Sequence, residues 1–147
     1  MPGIICAVRG GPDSQPTIAQ AIALAQETNL PLYFLYVVNL DFLSRTSTAR
    51  THTISEEMHE MGEFILLTAK ASASEQGYSA EGIVRHGDVG QEIVDLCHEL
   101  AADYLVLGHP RHEHEESVFS QEQLHQFVEQ AEKRTGARVV LASGGDG

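Results

Sequence analysis

The sequence lacks the features of several protein classes. Among its 147 residues there is no tryptophan, and the only cysteines are Cys6 and Cys97. Two thiols so far apart do not form the disulfide framework of a small secreted domain, and both stand in apolar patterns, so we expect buried free thiols. No stretch of eighteen apolar residues occurs, which predicts no membrane span. The first ten residues lack a basic stretch and a cleavage site, so we expect cytoplasmic residence rather than secretion.

Basic residues are also scarce. Nine Lys and Arg stand against 21 Asp and Glu, giving a net charge of −12. Nucleic acid is therefore not expected as a partner, because no basic surface exists to neutralise a row of phosphates. A small anionic ligand needs only a few cations in one place and stays compatible with this charge. The length fits one domain, predicted at 1–142, with a flexible tail at 143–147.

Short apolar segments alternate with segments of helical periodicity. This alternation predicts an α/β fold, a single doubly wound, Rossmann-like domain with a five-stranded parallel sheet and helices on both faces. The strand order 3-2-1-4-5 is favoured, which puts the ligand-binding end at the carboxyl ends of the first and fourth strands. The predicted strands are 4–9, 32–38, 79–85, 103–107 and 138–142.

The helices between these strands are predicted from their apolar stripes and end signals. We expect a long polar connection at 39–55, with Thr53 and Glu56 as a capping box for the second helix. Gly87 is expected to turn the chain and Asp88 to cap the third helix. The residues predicted to face the sheet are Ile18, Ala21, Ile22 and Ala25, then Met58, Met61, Ile65, Ala69 and Ala73, then Ile93, Leu96, Cys97 and Leu100, and finally Leu124, Phe127, Val128 and Ala131.

Five arginines are predicted to lie near one end of the sheet, although the chain is acidic. A guanidinium group binds phosphate through a planar, bidentate fork, so this placement suits an anionic ligand, and the pattern is strongest at Arg9 and Arg111. The alternative is that some of the arginines pair with nearby carboxylates. The five are Arg9, Arg45, Arg50, Arg85 and Arg111.

Other candidate motifs are weaker. Gly10 and Gly11 follow the first strand, but neither a GxxxxGK[ST] nor a GxGxxG pattern is present. His109, His112 and His114 alternate with glutamates and have the donor chemistry for a transition metal, whereas a solvated polar loop explains the same residues without one. No hydrolytic motif such as GxSxG appears, so we do not expect an enzyme.

Three blocks carry a resemblance to a known family: IICAVRGG at the start, IAQAIALAQETNLPLYFLYVV, and EGIVRHGDVGQEIVDLCHELAADYLVLGHPR. The pattern resembles the universal stress proteins, small cytoplasmic α/β domains that commonly form homodimers and often bind ATP or AMP. The resemblance implies the same 3-2-1-4-5 sheet, and it implies no obligatory cofactor. We further expect a homodimer formed through the last strand, 138–142, because an exposed edge strand invites pairing with a second copy.

The resemblance also implies a nucleotide site, with departures. Nucleotide-binding members usually carry an Asp where Arg9 stands here. Their glycine-rich stretch after the fourth strand is matched only at Gly108, since Arg111 replaces its second glycine. The implied nucleotide-binding residues are Ala7, Val8, Arg9, Val38, Gly108, His109 and Arg111, with Ser117 or Ser120 as a hydroxyl donor.

These departures lead to three hypotheses. The first is a homodimeric regulatory protein of the stress response that binds an adenine nucleotide, either AMP or ATP. AMP is favoured over ATP, because arginines contact one or two phosphates without a glycine cradle. The second is a protein-interaction module of the same fold that binds no nucleotide. The third is a slow nucleotide hydrolase.

Overall fold

The computed structural model describes residues 3–9, 14–39, 48–108 and 121–142. Strands and helices alternate along these described ranges, as the periodicity predicts. None of the helices within these ranges is both long and apolar enough to cross a membrane. The elements are β1 (Ile4–Ala7), α1 (Gln15–Thr28), β2 (Leu32–Val38), α2 (Thr48–Glu75), β3 (Ala80–His86), α3 (Val89–Leu100), β4 (Tyr104–Gly108), α4 (Gln121–Thr135) and β5 (Arg138–Ala142).

The five strands form one sheet in the order β3-β2-β1-β4-β5, and every pairing is parallel. The predicted order is therefore confirmed, and β3 and β5 are the two edge strands. β2 and β5 have the predicted bounds, whereas β3 and β4 are each shifted by one residue. Because the strands are parallel, all their carboxyl ends meet at one edge of the sheet, which we call the rim.

The core has two layers, one on each face of the sheet. Residues of α1 and α2 pack on one face against Ile4, Cys6 and Phe34. Residues of α3 and α4 pack on the other face against Ile5 and Leu35. Neighbouring residues of β1 therefore point to opposite layers, as the two-residue repeat of a strand requires, and β1 is buried on both faces. The inward stripe predicted for α1 is confirmed at all four positions.

The long polar connection predicted at 39–55 is wrong in its second half, because α2 begins at Thr48. Thr53 and Glu56 lie inside this helix and cannot form its capping box. The exposed first turns carry a histidine and a glutamate four residues apart, and His52 Nε2 lies 3.5 Å from Glu56 Oε2. Such an i,i+4 pair stabilises a solvent-facing helix by about 0.2–0.5 kcal/mol, which favours helix in this polar stretch.

The inward face of α2 also differs from the prediction. Met61 is 56% exposed, while Gly62, Leu66, Ala69 and Ala73 are buried. Gly62 sets this orientation, because a Cβ on it would lie 2.5 Å from the ring of Tyr36 in β2. A glycine adds nothing to an apolar stripe, so the sequence pattern selects the neighbouring methionine instead.

Candidate functional site

The rim brings together the predicted site residues that the structure describes. Ala7 ends β1, with Val8 and Arg9 directly after it, Val38 ends β2, and Gly108 ends β4. Because β1 lies between β2 and β4, these five positions are neighbours along one edge. The remaining predicted positions lie outside the described residues and stay predictions, namely His109, Arg111, Ser117 and Ser120, the metal candidates His112 and His114, and the tail 143–147.

β1 ends two residues earlier than predicted. Its pairing with β2 stops at Ala7, although the Val8 amide still donates to the Leu35 carbonyl oxygen at 2.9 Å. The Arg9 amide turns away from the sheet and donates to Ser14 Oγ at 3.3 Å. The Arg9 side chain is exposed. Its guanidinium group therefore belongs to the rim surface and not to the strand.

The amino end of α1 lies beside Arg9. Ser14 and Thr17 are the buried polar residues of the described chain, 7% and 5% exposed. The side chain of the N-cap residue, Ser14, makes no capping hydrogen bond to the helix, and Pro16 stands in the first turn. The first amides of a helix have no intrahelical acceptor and carry partial positive charge, which favours an anion. This end of α1 and Arg9 therefore give the β1 side of the rim a positive character.

Packing against α1 requires a glycine at position 108. A Cβ at this position would lie 2.7 Å from Thr17 Oγ1, closer than non-bonded atoms approach. The glycine thus allows the end of β4 to lie directly against the first turn of α1. The same close approach of backbone is what a ligand at this end of β4 would require.

Val38 lies on the other side of β1. Its carbonyl oxygen accepts the Gly87 amide at 3.0 Å, which leaves one lone pair of that oxygen for a ligand. Gly87 has φ 143°, a conformation that favours glycine, and the Asp88 carboxylate accepts the Gln91 amide at 2.9 Å. The predicted turn at Gly87 and the predicted cap at Asp88 are both confirmed.

Arg85 does not contribute to an anion site. Its guanidinium group lies 2.5 Å from Glu99 and 3.6 Å from Glu92, both on α3. The alternative expectation, that some arginines pair with carboxylates, is correct at this position. Arg50 lies in the first turns of α2 and is exposed, whereas Arg45 falls outside the described residues. Arg9 therefore carries the anion-site hypothesis within the described chain.

Both cysteines are buried free thiols, as expected. Cys6 is on β1, where burial raises the pKa of its thiol strongly. Burial also raises the pKa of the Cys97 thiol, to about 12. Neither thiol is therefore available as a thiolate at neutral pH, and this argues against a redox role.

Two histidines at the β3 end of the rim were missed by the sequence analysis. His59 Nδ1 on α2 lies 2.9 Å from His86 Nε2, the last residue of β3. Their rings are stacked, with centroids 5.1 Å apart. On its other side, His59 Nε2 lies 3.6 Å from Glu63 Oε2. The i,i+4 spacing of His59 and Glu63 was a visible signal, but the approach of His86 depends on the packing of α2 against β3.

An open groove of about 560 Å³ lies at the opposite edge of the sheet, between the end of α2 and the start of β3. Its lining includes Leu67, Lys70 and Tyr78. Only one of its lining residues is charged, so it lacks the convergent polar groups that fix a small ligand. The rim remains the better candidate site.

Sequence and structure comparisons agree on one family. The family model described as "Universal stress protein family" matches residues 2–135. A universal stress protein of Methanocaldococcus jannaschii is 28% identical over 106 residues, covering 71% of this chain. The matched region spans only 62% of that relative's length.

Solved structures share the fold at low sequence identity. A universal stress protein of Lactobacillus plantarum superposes with a TM-score of 0.77 at 14% identity, covering 96% of this chain and 97% of its own. A universal stress protein of Archaeoglobus fulgidus in complex with dAMP superposes with a TM-score of 0.61 at 16% identity. The match covers 97% of this chain and 98% of that protein. A universal stress protein in complex with cAMP superposes with a TM-score of 0.64 at 17% identity. The match covers 96% of this chain and 95% of that protein. With the family model matching nearly all of its length, the chain belongs to the universal stress protein family.

Proposed function

We propose that this protein is a regulatory protein of the stress response that binds an adenine nucleotide at the rim, AMP in preference to ATP. The observation that carries the proposal is the meeting of Arg9, Val38 and Gly108 at one edge of the sheet, next to the first turn of α1. This arrangement offers a cation and backbone amides for phosphate on one side, and a backbone acceptor for a base on the other.

The preference for a monophosphate has two supports. Two structural neighbours were solved with nucleotides that carry a single phosphate, cAMP and dAMP. In addition, of the glycine-rich stretch that holds phosphates in nucleotide-binding relatives, this sequence keeps only Gly108. Fewer backbone amides can then approach a phosphate chain, while the forks of Arg9 and Arg111 suit one or two phosphates.

Isothermal titration calorimetry with AMP, cAMP, ADP and ATP tests the proposal. We expect AMP to bind most tightly, and Arg9→Ala and Arg111→Ala each to weaken its binding about tenfold, the effect of about 1.4 kcal/mol. Arg134→Ala, a change at an exposed arginine in the last turn of α4, is the matched control and leaves affinity unchanged. No response to any nucleotide would refute the proposal, and tight ATP binding unaffected by both substitutions would refute the role of the arginines.

The proposal includes a homodimer formed through β5. This strand is an edge of the sheet, and an edge strand can pair with a second copy through its outer backbone groups. The Val139 amide donates to Glu132 Oε2 at 3.0 Å, so pairing at that residue requires this carboxylate to move aside. Such a contact would leave the rim open, because it uses the side of the sheet rather than the strand ends. Light scattering coupled to size-exclusion chromatography measures the mass directly, and a monomer at high protein concentration contradicts this part of the proposal.

A second candidate is a protein-interaction module that binds no nucleotide. One observation favours it: α2 presents an exposed apolar row, in which Met61, Phe64 and Leu67 are 56%, 68% and 60% exposed. Apolar groups clustered on a surface are typical of interaction sites. The absence of nucleotide binding, with a folded protein, supports this candidate over the first. Slow nucleotide hydrolysis ranks third and is tested by phosphate release with added divalent metal.

A further inference from the structure

The pair of histidines at the β3 end of the rim has a geometry that the nucleotide proposal does not use. His59 comes from the outer helix α2, and His86 is the last residue of β3. Their nearest ring nitrogens, His59 Nδ1 and His86 Nε2, are 2.9 Å apart. Both side chains reach solvent, since His86 is exposed and the side chain of His59 is 39% exposed. Two imidazoles from separate elements therefore converge at an accessible point.

We propose that His59 and His86 form a two-imidazole site for a divalent transition metal of the zinc, nickel or copper class, with water in the remaining positions. Imidazole nitrogen is a preferred ligand of these metals, at about 2.0–2.1 Å from Zn²⁺. Two nitrogens at that distance from one ion are about 2.9–3.4 Å apart for angles between 90° and tetrahedral. The observed 2.9 Å falls at the lower end of this range, so the two rings must lose the hydrogen bond between them and rotate until both lone pairs point at one ion.

Glu63 supports the site from behind. Its Oε2 lies 3.6 Å from His59 Nε2, the ring nitrogen that faces away from His86. At this distance the carboxylate is not hydrogen-bonded to the ring, but its negative charge attracts a cation to this part of the surface. The i,i+4 spacing on α2 holds Glu63 and His59 on one side of the helix. The net charge of −12 adds a general attraction for cations.

The alternative is a plain hydrogen bond, in which one imidazole donates to the other and no metal takes part. Within the parts of the chain that the structure describes, no group of three potential ligands surrounds a common point. The proposed site therefore has two protein ligands and binds an exchangeable ion rather than a structural one. Occupation would tie the first half of α2 to the end of β3.

The test uses NiCl₂ titrated into the full chain by calorimetry at neutral pH. The sequence also holds His109, His112 and His114, so the titration is done in a variant with all three replaced by Gln. In that background, His59→Gln and His86→Gln should each weaken binding at least tenfold. His98→Gln, at an exposed histidine near the end of α3, is the control and should change nothing.

Thermal unfolding of each variant, compared with the His98→Gln control, checks that the variant is still folded. A loss of metal binding is then not caused by unfolding. Electron paramagnetic resonance of the Cu²⁺-loaded background variant provides an independent readout, with coupling to two nitrogens expected and coupling to one in either single substitution. The proposal is overturned if binding disappears when His109, His112 and His114 are replaced. It is also overturned if affinity survives both single substitutions, or if only one of His59 and His86 matters.

Discussion

Replacement of Gly108 by alanine tests the contact that joins β4 to α1 at the rim. The added Cβ would lie 2.7 Å from Thr17 Oγ1, whereas ordinary contacts begin near about 3.5 Å. Thr17 is 5% exposed and β-branched, so its side chain cannot easily rotate away. Overpacking of this kind costs about 1–3 kcal/mol. The backbone at Gly108 has no positive φ, so alanine recovers about 0.4–1 kcal/mol through a less flexible unfolded chain.

The expected net result is a loss of about 1–2 kcal/mol in the free energy of unfolding, measured by urea denaturation. A double-mutant cycle isolates the contact. Gly108→Ala in a Thr17→Ala background should cost at least about 1 kcal/mol less, because Oγ1 is gone. In a Thr17→Val background the cost should persist, since a methyl group occupies the place of the hydroxyl.

Equal costs of Gly108→Ala in the wild-type and Thr17→Ala backgrounds would refute this packing account. If the proposed function is correct, the same variants also show whether Gly108 is needed for packing only or for AMP binding as well. If the Thr17→Ala/Gly108→Ala protein is stable yet binds AMP more weakly than Thr17→Ala alone, then the glycine serves the ligand as well. If the two proteins bind AMP equally, Gly108 serves packing alone.

Two further predictions concern α3. Asp88→Ala removes the acceptor of the Gln91 amide and should cost about 1 kcal/mol in urea denaturation, whereas Asp88→Asn keeps an acceptor and should cost less than half as much; equal losses would contradict the cap. Burial raises the pKa of the Cys97 thiol from 9.0 to about 12, so between these pH values the folded state keeps a proton that the unfolded chain has lost. The free energy of unfolding should therefore fall as pH rises from about 9, by up to about 1.4 kcal/mol per pH unit. The Cys97→Ala protein, measured by urea denaturation over the same pH range, should show a shallower fall. The same slope in both proteins would contradict this prediction.

The fold was predictable from the sequence because its main signals are local. The buried strands LYFLYVV and RVVLA are dense in β-branched and aromatic residues, and their bounds as predicted are those of β2 and β5. Signals at helix ends were equally direct at Gly87 and Asp88, where the predicted turn and the predicted cap are both confirmed. Alternation of strands and helices then restricts the connections to one hand, which favours the observed strand order without requiring it.

The errors occurred where packing, rather than local preference, decides. The inward face of α2 was misread because Gly62 contacts Tyr36, a contact between two elements that carries no apolar signal. The early start of α2 falls in a stretch whose composition is typical of a loop, where an i,i+4 side-chain pair favours helix. His59 and His86 are 27 residues apart in the sequence, and only the packing of α2 on β3 brings their rings together. Sites built from several elements are therefore the least accessible to single-sequence reasoning.

The rim has opposite chemical character at its two ends. Beside β1 and β4, Arg9 and the first turn of α1 favour an anion, and beside β3 the imidazoles and Glu63 form the proposed cation site. The hydrogen bond from the Gly87 amide to the Val38 carbonyl oxygen joins the two ends directly. A shift of His86 on metal binding would act on the neighbouring Gly87, and through that bond on the proposed acceptor for the base. The two proposed sites are thus separate in chemistry but share one piece of backbone, which gives each a physical route to influence the other.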